Sequence, residues 1–501
     1  MTIFTSARPD SCPTRWFAPL TLMLPASPFS SDGSKRTTPL RIRDAHLVGI
    51  GGSGMQGLAE LLSGFRVRVT GSDQHIPPHL FWSMHRRGLR ASQGHAASHL
   101  PQEADVLIYS PAVPHENPER REAERRGVPQ LSLSEALGRI MANRSGVSVA
   151  GTHGKTSTTA LLGHVLEAAG ESPSVLTGGE ILGRGVSGRA GSGPLFVVES
   201  CEYRGHFLNL TPRHMILTNL EADHFDCFGT LEESIDVFRQ FAARLPADGT
   251  LLVNYDSPTA LEAVQGTKAR VQSFGSRAGA DWWLGGLQPS GRGWRFQVFR
   301  RAKLFGVFDL PLPGRHNVLN SLAVVAMCHR LGVKRRMIAE GLRSFRGVRR
   351  RFEVLGSWRG MTLVDDYAHH PTAIRVTLRT AREAFPRRRI WCVFQPHQIS
   401  RTRALFADFV RSLSRADRVL VSPVFAARES GSDDQSRLSV RMADRIRRLG
   451  TPAQFVDSLD RIISTIETEA APGDVLLILG AGDVDRIGHD LLQRPQHQRA
   501  S

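Results

Sequence analysis

Six residues, Gly151-Thr152-His153-Gly154-Lys155-Thr156, constrain this chain more than any other segment. They lie between a strand pattern at 147–150 and a helix pattern at 157–169. That is the setting of a phosphate-binding loop, where backbone N–H groups and a helix N-terminus surround a phosphate. In that reading Lys155 bridges the β- and γ-phosphates and the Thr156 hydroxyl holds Mg2+. The outer position of the general G-x-x-x-x-G-K-[ST] spacing is Val149 rather than Gly, so a structural glycine turn is the alternative. Composition bears on the choice. The chain has five Lys against 59 Arg, and Lys155 is the only Lys between residues 36 and 267. In so Lys-poor a chain, a Lys at this turn argues for ATP.

The formal charge of +17 comes almost wholly from scattered Arg. A nucleic-acid binder clusters its cations on one face or tail. The scatter reads instead as an Arg-biased composition, with polyanionic small substrates as the other reading and no nucleic acid expected. No apolar run approaches the ~20 residues that span a bilayer, so no membrane partner is expected. The five Cys are far apart and odd in number, without a C-x-x-C pair. A disulfide framework or zinc site is not expected, and a reducing, cytoplasmic setting fits.

The 501 residues predict about three domains, at ~100–200 residues each. Residues 1–40 are rich in Pro, Ser and Thr and read as a disordered extension or an early assigned start. A mildly apolar stretch at 16–26 raises a signal peptide, but Pro19 and Pro25 break it and no A-x-A site follows. From residue 41 strand and helix signals alternate, which implies βαβ units and parallel sheets. Strands are expected at 46–50, 67–70 and 105–109. A second unit has them at 147–150, 195–198, 215–218 and 250–253. A third has them at 362–365, 390–394, 418–421 and 474–478. The expected boundaries are 41–143, 144–346 and 347–492, with a frayed tail at 493–501.

Other motifs fall at the ends of those strands. Gly49, Gly51 and Gly54 fit G-x-G-x-x-G. Asp73 follows at the distance, about 20 residues on, where a ribose-binding acid sits. NAD, another nucleotide such as a UDP-sugar, and a plain turn all remain open for that loop. Glu199, Asp223 and His224 follow strands of the second unit. The carboxyl ends of strands in an open α/β sheet face the ligand crevice, so these side chains could complete a Mg2+ site. Asn317 and Asn320 share one face at a helix start, where capping is the plain alternative. Asp365-Asp366-Tyr367-Ala368-His369-His370 and the stretch from Phe394 to Arg403 also close strands.

Taken together and in order, GIGGSGM, GTHGKT, ESCEY, TNLEADHFD, GRHNVLN, RRRFE, DDYAHHP, FQPHQISRTR and GAGDV resemble the Mur ligases from about residue 41 to 489. The resemblance implies an α/β protein of three domains. An N-terminal Rossmann-like domain binds UDP, a central P-loop ATPase-type domain binds ATP, and a C-terminal Rossmann-like domain binds the amino acid. It implies an ATP- and Mg2+-dependent ligase that joins L-alanine to the lactyl carboxylate of UDP-N-acetylmuramate through an acyl phosphate, in peptidoglycan precursor synthesis. A monomer or homodimer is expected.

The residue roles are carried over by position. Gly151, Thr152, His153, Gly154, Lys155, Thr156, Ser157, His316, Asn317, Asn320, Arg351 and Asp366 would surround ATP. Thr156, Glu199 and His224 would hold the metal, and Lys155, Glu199, His224 and Arg351 would be catalytic. Gly49, Gly51, Gly52, Gly54, Met55, Ser72, Asp73 and Ser110 would bind the UDP-sugar. His369 and Arg401 would line the amino-acid site.

Later-acting members of the family resemble one another in a carbamylated Lys, whose comparable position here is about Arg239. Arg, always protonated, does not take that role. This agrees with the alanine-adding branch and also with a related ligase that attaches a tripeptide. Gln398 stands where many members have Arg, which bears on alanine specificity. An NAD-dependent dehydrogenase built on Gly49 to Asp73 would leave the P-loop unexplained.

Overall fold

Alternating strands and helices build three sheets along the chain, in a computed structural model that describes residues 22–25, 40–223, 225, 227–427, 429 and 432–494. The first sheet has five parallel strands in the order Arg90–Gln93, Arg68–Asp73, Asp44–Val48, Val106–Tyr109, Gln130–Ser132. The central strand of a doubly wound sheet opens onto its glycine loop, and here Asp44–Val48 leads into Gly49–Gly52 and helix Ser53–Gly64.

The second sheet has ten strands. Its parallel centre places Leu195–Glu199, Ser145–Ala150, His214–Leu217 and Thr250–Asn254 side by side. The residues after Ser145–Ala150 and His214–Leu217, and Glu199 at the end of its strand, therefore meet at one edge. Helix Lys155–Ala168 follows the phosphate loop. It is buried nearly all round because it is sandwiched between the sheet and helices Arg315–Arg330 and Arg335–Ser344. Three antiparallel strands, Trp282–Ser290, Gly293–Arg300 and Lys303–Leu310, extend the sheet. They are not among the strands expected from the sequence. Trp294, Phe296 and Val298 alternate inward there, a period-2 signal over only a few residues.

The third sheet orders Glu353–Trp358, Met361–Asp366, Val475–Leu479, Ile390–Phe394, Arg418–Val421 and Ala453–Phe455, parallel except at the first pair. Most strand boundaries agree closely with expectation. The second strand, expected to close at residue 70, instead runs through Gly71 and Ser72 to Asp73.

The extension expected at 1–40 needs one correction. Leu22–Leu24 pairs antiparallel with Leu40–Ile42, and Leu24 is 1% exposed in the first core. Burying that leucine outweighs the low β-propensity of the segment's surroundings. The rest of the expected extension lies outside the described residues, as do 495–501 of the expected tail. Gln493 ends a helix, Arg486–Gln493.

Candidate functional site

The phosphate loop is shaped by its neighbours before any ligand arrives. Gly151 has φ +126°, and a Cβ there would lie 2.3 Å from Thr218 Oγ1 and 2.6 Å from the Asn219 carbonyl oxygen, so only glycine fits. The backbone N–H groups of Thr152 and His153 donate to the Asn219 carbonyl (3.0 Å) and side-chain oxygen (2.9 Å). Thr218 Oγ1 donates to the His153 carbonyl at 2.7 Å. Gly154 caps helix Lys155–Ala168.

Lys155 Nζ donates to both carboxylate oxygens of Glu202 at 2.9 Å and to the carbonyls of Gly151 and Thr152. Burial opposes its charge, but Glu202, with Cys201 and Glu199, holds its pKa above the ordinary value. Glu202 is thus a stand-in anion for the lysine. Its place in ESCEY gives no hint of that role.

Next to it, Thr156 Oγ1 donates to Glu199 Oε1 at 3.0 Å and accepts from Arg351 Nη2 at 3.0 Å. Three expected residues from three segments meet there. Arg351 leans over the Tyr367 ring, 5.0 Å from its centroid. Its neighbours Arg350 and Phe352 both have positive φ. That is a strained backbone for non-glycine residues. Arg350 hydrogen-bonds the carbonyls of Gly480 and Gly482, which holds the connection between the second and third sheets.

His316, Asn320 and Asp366 border the same space. Burial, with Arg351 nearby, pulls the His316 pKa down to about 4, so its imidazole is neutral. Asn320 abuts the phosphate loop: a Cβ on Gly154 would come 3.0 Å from its Oδ1. Asn317 also lines the cavity, and its Nδ2 donates to the Pro313 carbonyl at 2.8 Å. Asp366 accepts from the N–H groups of Phe352 and Ala368, both at 2.8 Å, while burial raises its pKa against the pull of Arg351. Asp365 beside it is raised to about 7 by burial, against Arg350 at 3.4 Å.

A cavity of about 1910 Å³ runs from Gly52–Gln56 and Ser110, past the phosphate loop, to His369, Gln398 and Arg401. The expected sugar-nucleotide residues divide along it. Gly52, Gly54, Met55 and Ser110 line it. Ser72 does not, which corrects its expected contact role. It is 0% exposed, its hydroxyl donates to Glu119 at 2.7 Å, and its carbonyl accepts from Gly49 and Ile50. Asp73 likewise braces the loop, accepting from the Gly51 N–H at 2.8 Å. Gly49, φ +84°, passes so close to Ser110 that a Cβ would meet it at 2.8 Å.

At the other end, His369 Nδ1 faces the Tyr367 carbonyl at 2.8 Å, and burial, then Arg401, lowers its pKa well below the ordinary value. Arg401 is 2% exposed. Its Nε donates to Asp223 Oδ1 at 2.7 Å and its Nη1 to the His397 carbonyl at 3.1 Å. Nothing in the sequence foretells that Asp223 and Arg401, far apart along the chain, pair across two sheets. His224, the expected metal ligand, lies outside the described residues. Arg239 pairs with Asp236 and Glu262, and it does not line the cavity.

One more cluster escapes the sequence analysis. Glu221 accepts from Thr372 Oγ1 at 2.7 Å and lies near His153 and His370. Burial disfavours its charge, yet His153 and Thr372 hold its pKa down to about 2. Burial lowers His370 to about 4. No sequence pattern joins residues 153, 221 and 370. Only the sheet topology does.

A P-loop on one sheet, met by an Arg and an Asp from the next and open to a third glycine-loop sheet, defines a nucleotide-using enzyme of the multi-sheet ligase kind. The chain belongs to the Mur ligase family. Three family profiles cover it in order: "Mur ligase family, catalytic domain" over 44–145, "Mur ligase middle domain" over 149–328, and "Mur ligase, glutamate ligase domain" over 350–482. It is 40% identical over 452 residues to a UDP-N-acetylmuramate–L-alanine ligase of Sorangium cellulosum, across 89% of this chain and 95% of that protein. It is 37% identical to the same-named ligase of Desulfitobacterium hafniense, across 91% and 100%. Among solved structures it resembles a UDP-N-acetylmuramate-alanine ligase of Thermotoga maritima, with TM-score 0.76 and 28% identity, covering 90% of this chain and 98% of that one. A murein peptide ligase of Psychrobacter arcticus matches with TM-score 0.67 and 25% identity over the same shares. No helix among the described residues is long and apolar enough to cross a membrane.

Proposed function

We infer that the chain joins L-alanine to the lactyl carboxylate of UDP-N-acetylmuramate, converting ATP to ADP and phosphate. The observation that carries this reading is the 40% identity to an alanine-adding ligase over nearly the whole of both chains. The site chemistry supports it. The glycine loop at Gly49–Gly54 offers backbone to a sugar diphosphate, and the phosphate loop offers Lys155 to ATP. We further propose 41–143, 144–346 and 347–492 as the three functional units.

A carboxylate is a poor electrophile. Its oxygen attacks the γ-phosphorus of ATP, ADP leaves, and an acyl phosphate forms. The alanine amine then adds to the acyl carbon, and phosphate departs as the amide forms. Lys155 leaves Glu202 for the phosphates, and Arg351, beside Thr156, adds a second cation to neutralise the transferring phosphoryl group. Thr156 Oγ1 and Glu199 Oε1, 3.0 Å apart, are hard oxygen donors suited to Mg2+. A Mg2+ held by these two residues would supply further charge neutralisation. His369, with Nδ1–H donated to the Tyr367 carbonyl, presents a neutral Nε2 as a hydrogen-bond acceptor that orients the alanine amine. Arg401 offers charge to the alanine carboxylate.

Release of ADP in the presence of UDP-N-acetylmuramate tests the reading. L-alanine should support turnover, and the murein tripeptide should not. Turnover with the tripeptide alone would assign the chain to the murein peptide ligases instead.

A further inference from the structure

His153, Glu221 and His370 form a cluster that the ligase chemistry leaves unused. His153 belongs to the phosphate loop, and Glu221 follows strand His214–Leu217. His370 caps helix Pro371–Ala384 on the third sheet's side. Glu221 Oε2 lies 3.5 Å from His153 Nε2 and 3.8 Å from His370 Nδ1. One ligand atom from each residue falls within 4.8 Å of the other two. The two rings sit 4.8 Å apart, tilted by 47°.

These separations are long for hydrogen bonds. They are close to what a metal needs. Tetrahedral Zn2+ with bonds of about 2.0–2.2 Å sets its ligands about 3.3–3.6 Å apart; His153 Nε2 and Glu221 Oε2 at 3.5 Å already fit, and the widest separation, within 4.8 Å, closes by about an ångström as the metal binds. The donor set also discriminates. Two imidazoles and a carboxylate suit Zn2+ and its transition-metal neighbours, whereas Mg2+ takes oxygen. His370 Nδ1 accepts from the Thr372 N–H at 3.3 Å, so Nε2 is the atom left to ligate, and Nε2 of each histidine is buried with no hydrogen-bond partner among the described residues.

The surroundings are those of a supported site. Thr372 Oγ1 donates to Glu221 Oε2 at 2.7 Å and accepts from Arg375 Nη2 at 2.8 Å. These contacts fix the carboxylate, and Oε2, the oxygen that faces both imidazoles, keeps a second lone pair for a metal. The His153 backbone is pinned by Asn219. At neutral pH Glu221 is ionised and His370 neutral, the forms a metal binds.

We propose that His153, Glu221 and His370 bind a divalent transition metal of the Zn2+ class, at a site distinct from the one proposed for Mg2+ at Thr156 and Glu199. Because two ligands come from the phosphate-loop side and one from the C-terminal side, the metal clasps the two together.

Co2+ is the spectroscopic probe, titrated into the full chain in excess Mg2+ without nucleotide. One Co2+ per chain should bind with a visible absorption band, and Zn2+ should displace it. His370→Asn keeps a cap acceptor for the Thr372 N–H but removes the imidazole, and it should abolish the band. His153→Asn, on the opposite side, should do the same and serves if the first variant does not fold. Thr372→Val should weaken binding about 10–100-fold. Glu199→Gln should leave it unchanged. Zn2+ should raise the melting temperature of the wild type and not that of His370→Asn. An equal band in wild type and His370→Asn, loss of the band in Glu199→Gln alone, or no band in the wild type would each overturn the proposal.

Discussion

Lys155 is surrounded by carbonyls and the Glu202 carboxylate, an arrangement that keeps a buried cation satisfied until phosphates replace them. Lys155→Ala removes charge neutralisation from the transferring phosphoryl group, so turnover should fall by about 10²–10³. Circular dichroism should show the fold kept, because the helix Lys155–Ala168 is held by its apolar packing; near-normal turnover would remove Lys155 from the ATP site. Asp365 raises a different question, of pH. Its pKa, raised to about 7 by burial, exceeds the unfolded value of about 3.9. Between those values the folded chain binds more protons than the unfolded one, so this group's contribution to stability falls as pH rises. Asp365→Asn removes that slope. Urea midpoints should therefore show the variant gaining on the wild type from about pH 5 to pH 8. A constant difference across that range would mean that Asp365 ionises normally beside Arg350.

The short strand Leu22–Leu24 shows how an element forms against its own sequence signal. Its flanks are rich in Pro and Ser, yet pairing with Leu40–Ile42 places Leu24 in the first core. Leu24→Ala should lower unfolding free energy by about 2–5 kcal/mol in chemical denaturation. No change would mean that the hairpin contributes nothing to the fold. The central parallel strands are legible in the sequence where they are continuous apolar runs bounded by turn residues, as in Ile390–Phe394, whereas polar edge strands such as Arg90–Gln93 and Arg270–Gly275 are not. Leu22–Leu24 is not legible, since so short a segment carries no period. The antiparallel strands from Trp282 to Leu310 escape for a related reason: Gly285, Gly286 and Gly306 interrupt their alternation. Motif residues at strand ends, such as Glu199 and Asp366, are legible to the extent that both line the one cavity. Ser72 misleads because its strand continues past it and turns its hydroxyl onto Glu119.

At the scale of the whole molecule, the second and third sheets are joined by polar contacts that sequence spacing does not reveal: Arg351 with Thr156, Thr372 with Glu221, and Arg401 with Asp223. The last is the most buried, at 2% and 8% exposure, and it sits where the amino-acid site was expected. Its energetics follow from burial. Removing one partner of a buried ion pair leaves the other charge uncompensated, at a cost of about 3–5 kcal/mol, whereas removing both leaves no charge stranded. Asp223→Asn and Arg401→Gln should therefore each lower the melting temperature more than the double variant does. The two substitutions act on one interaction, so their effects should not add. The same pair reports on substrate. Arg401→Gln should raise the KM for L-alanine by about 10–150-fold, the loss of a charged hydrogen bond of about 1.5–3 kcal/mol, with KM for ATP changed far less. Asp223→Asn keeps that cation, so any rise in its alanine KM should be the smaller. Additive melting shifts would reduce the pair to two independent residues. An unchanged alanine KM in Arg401→Gln would confine Arg401 to bridging the sheets and move the carboxylate pocket elsewhere along the cavity.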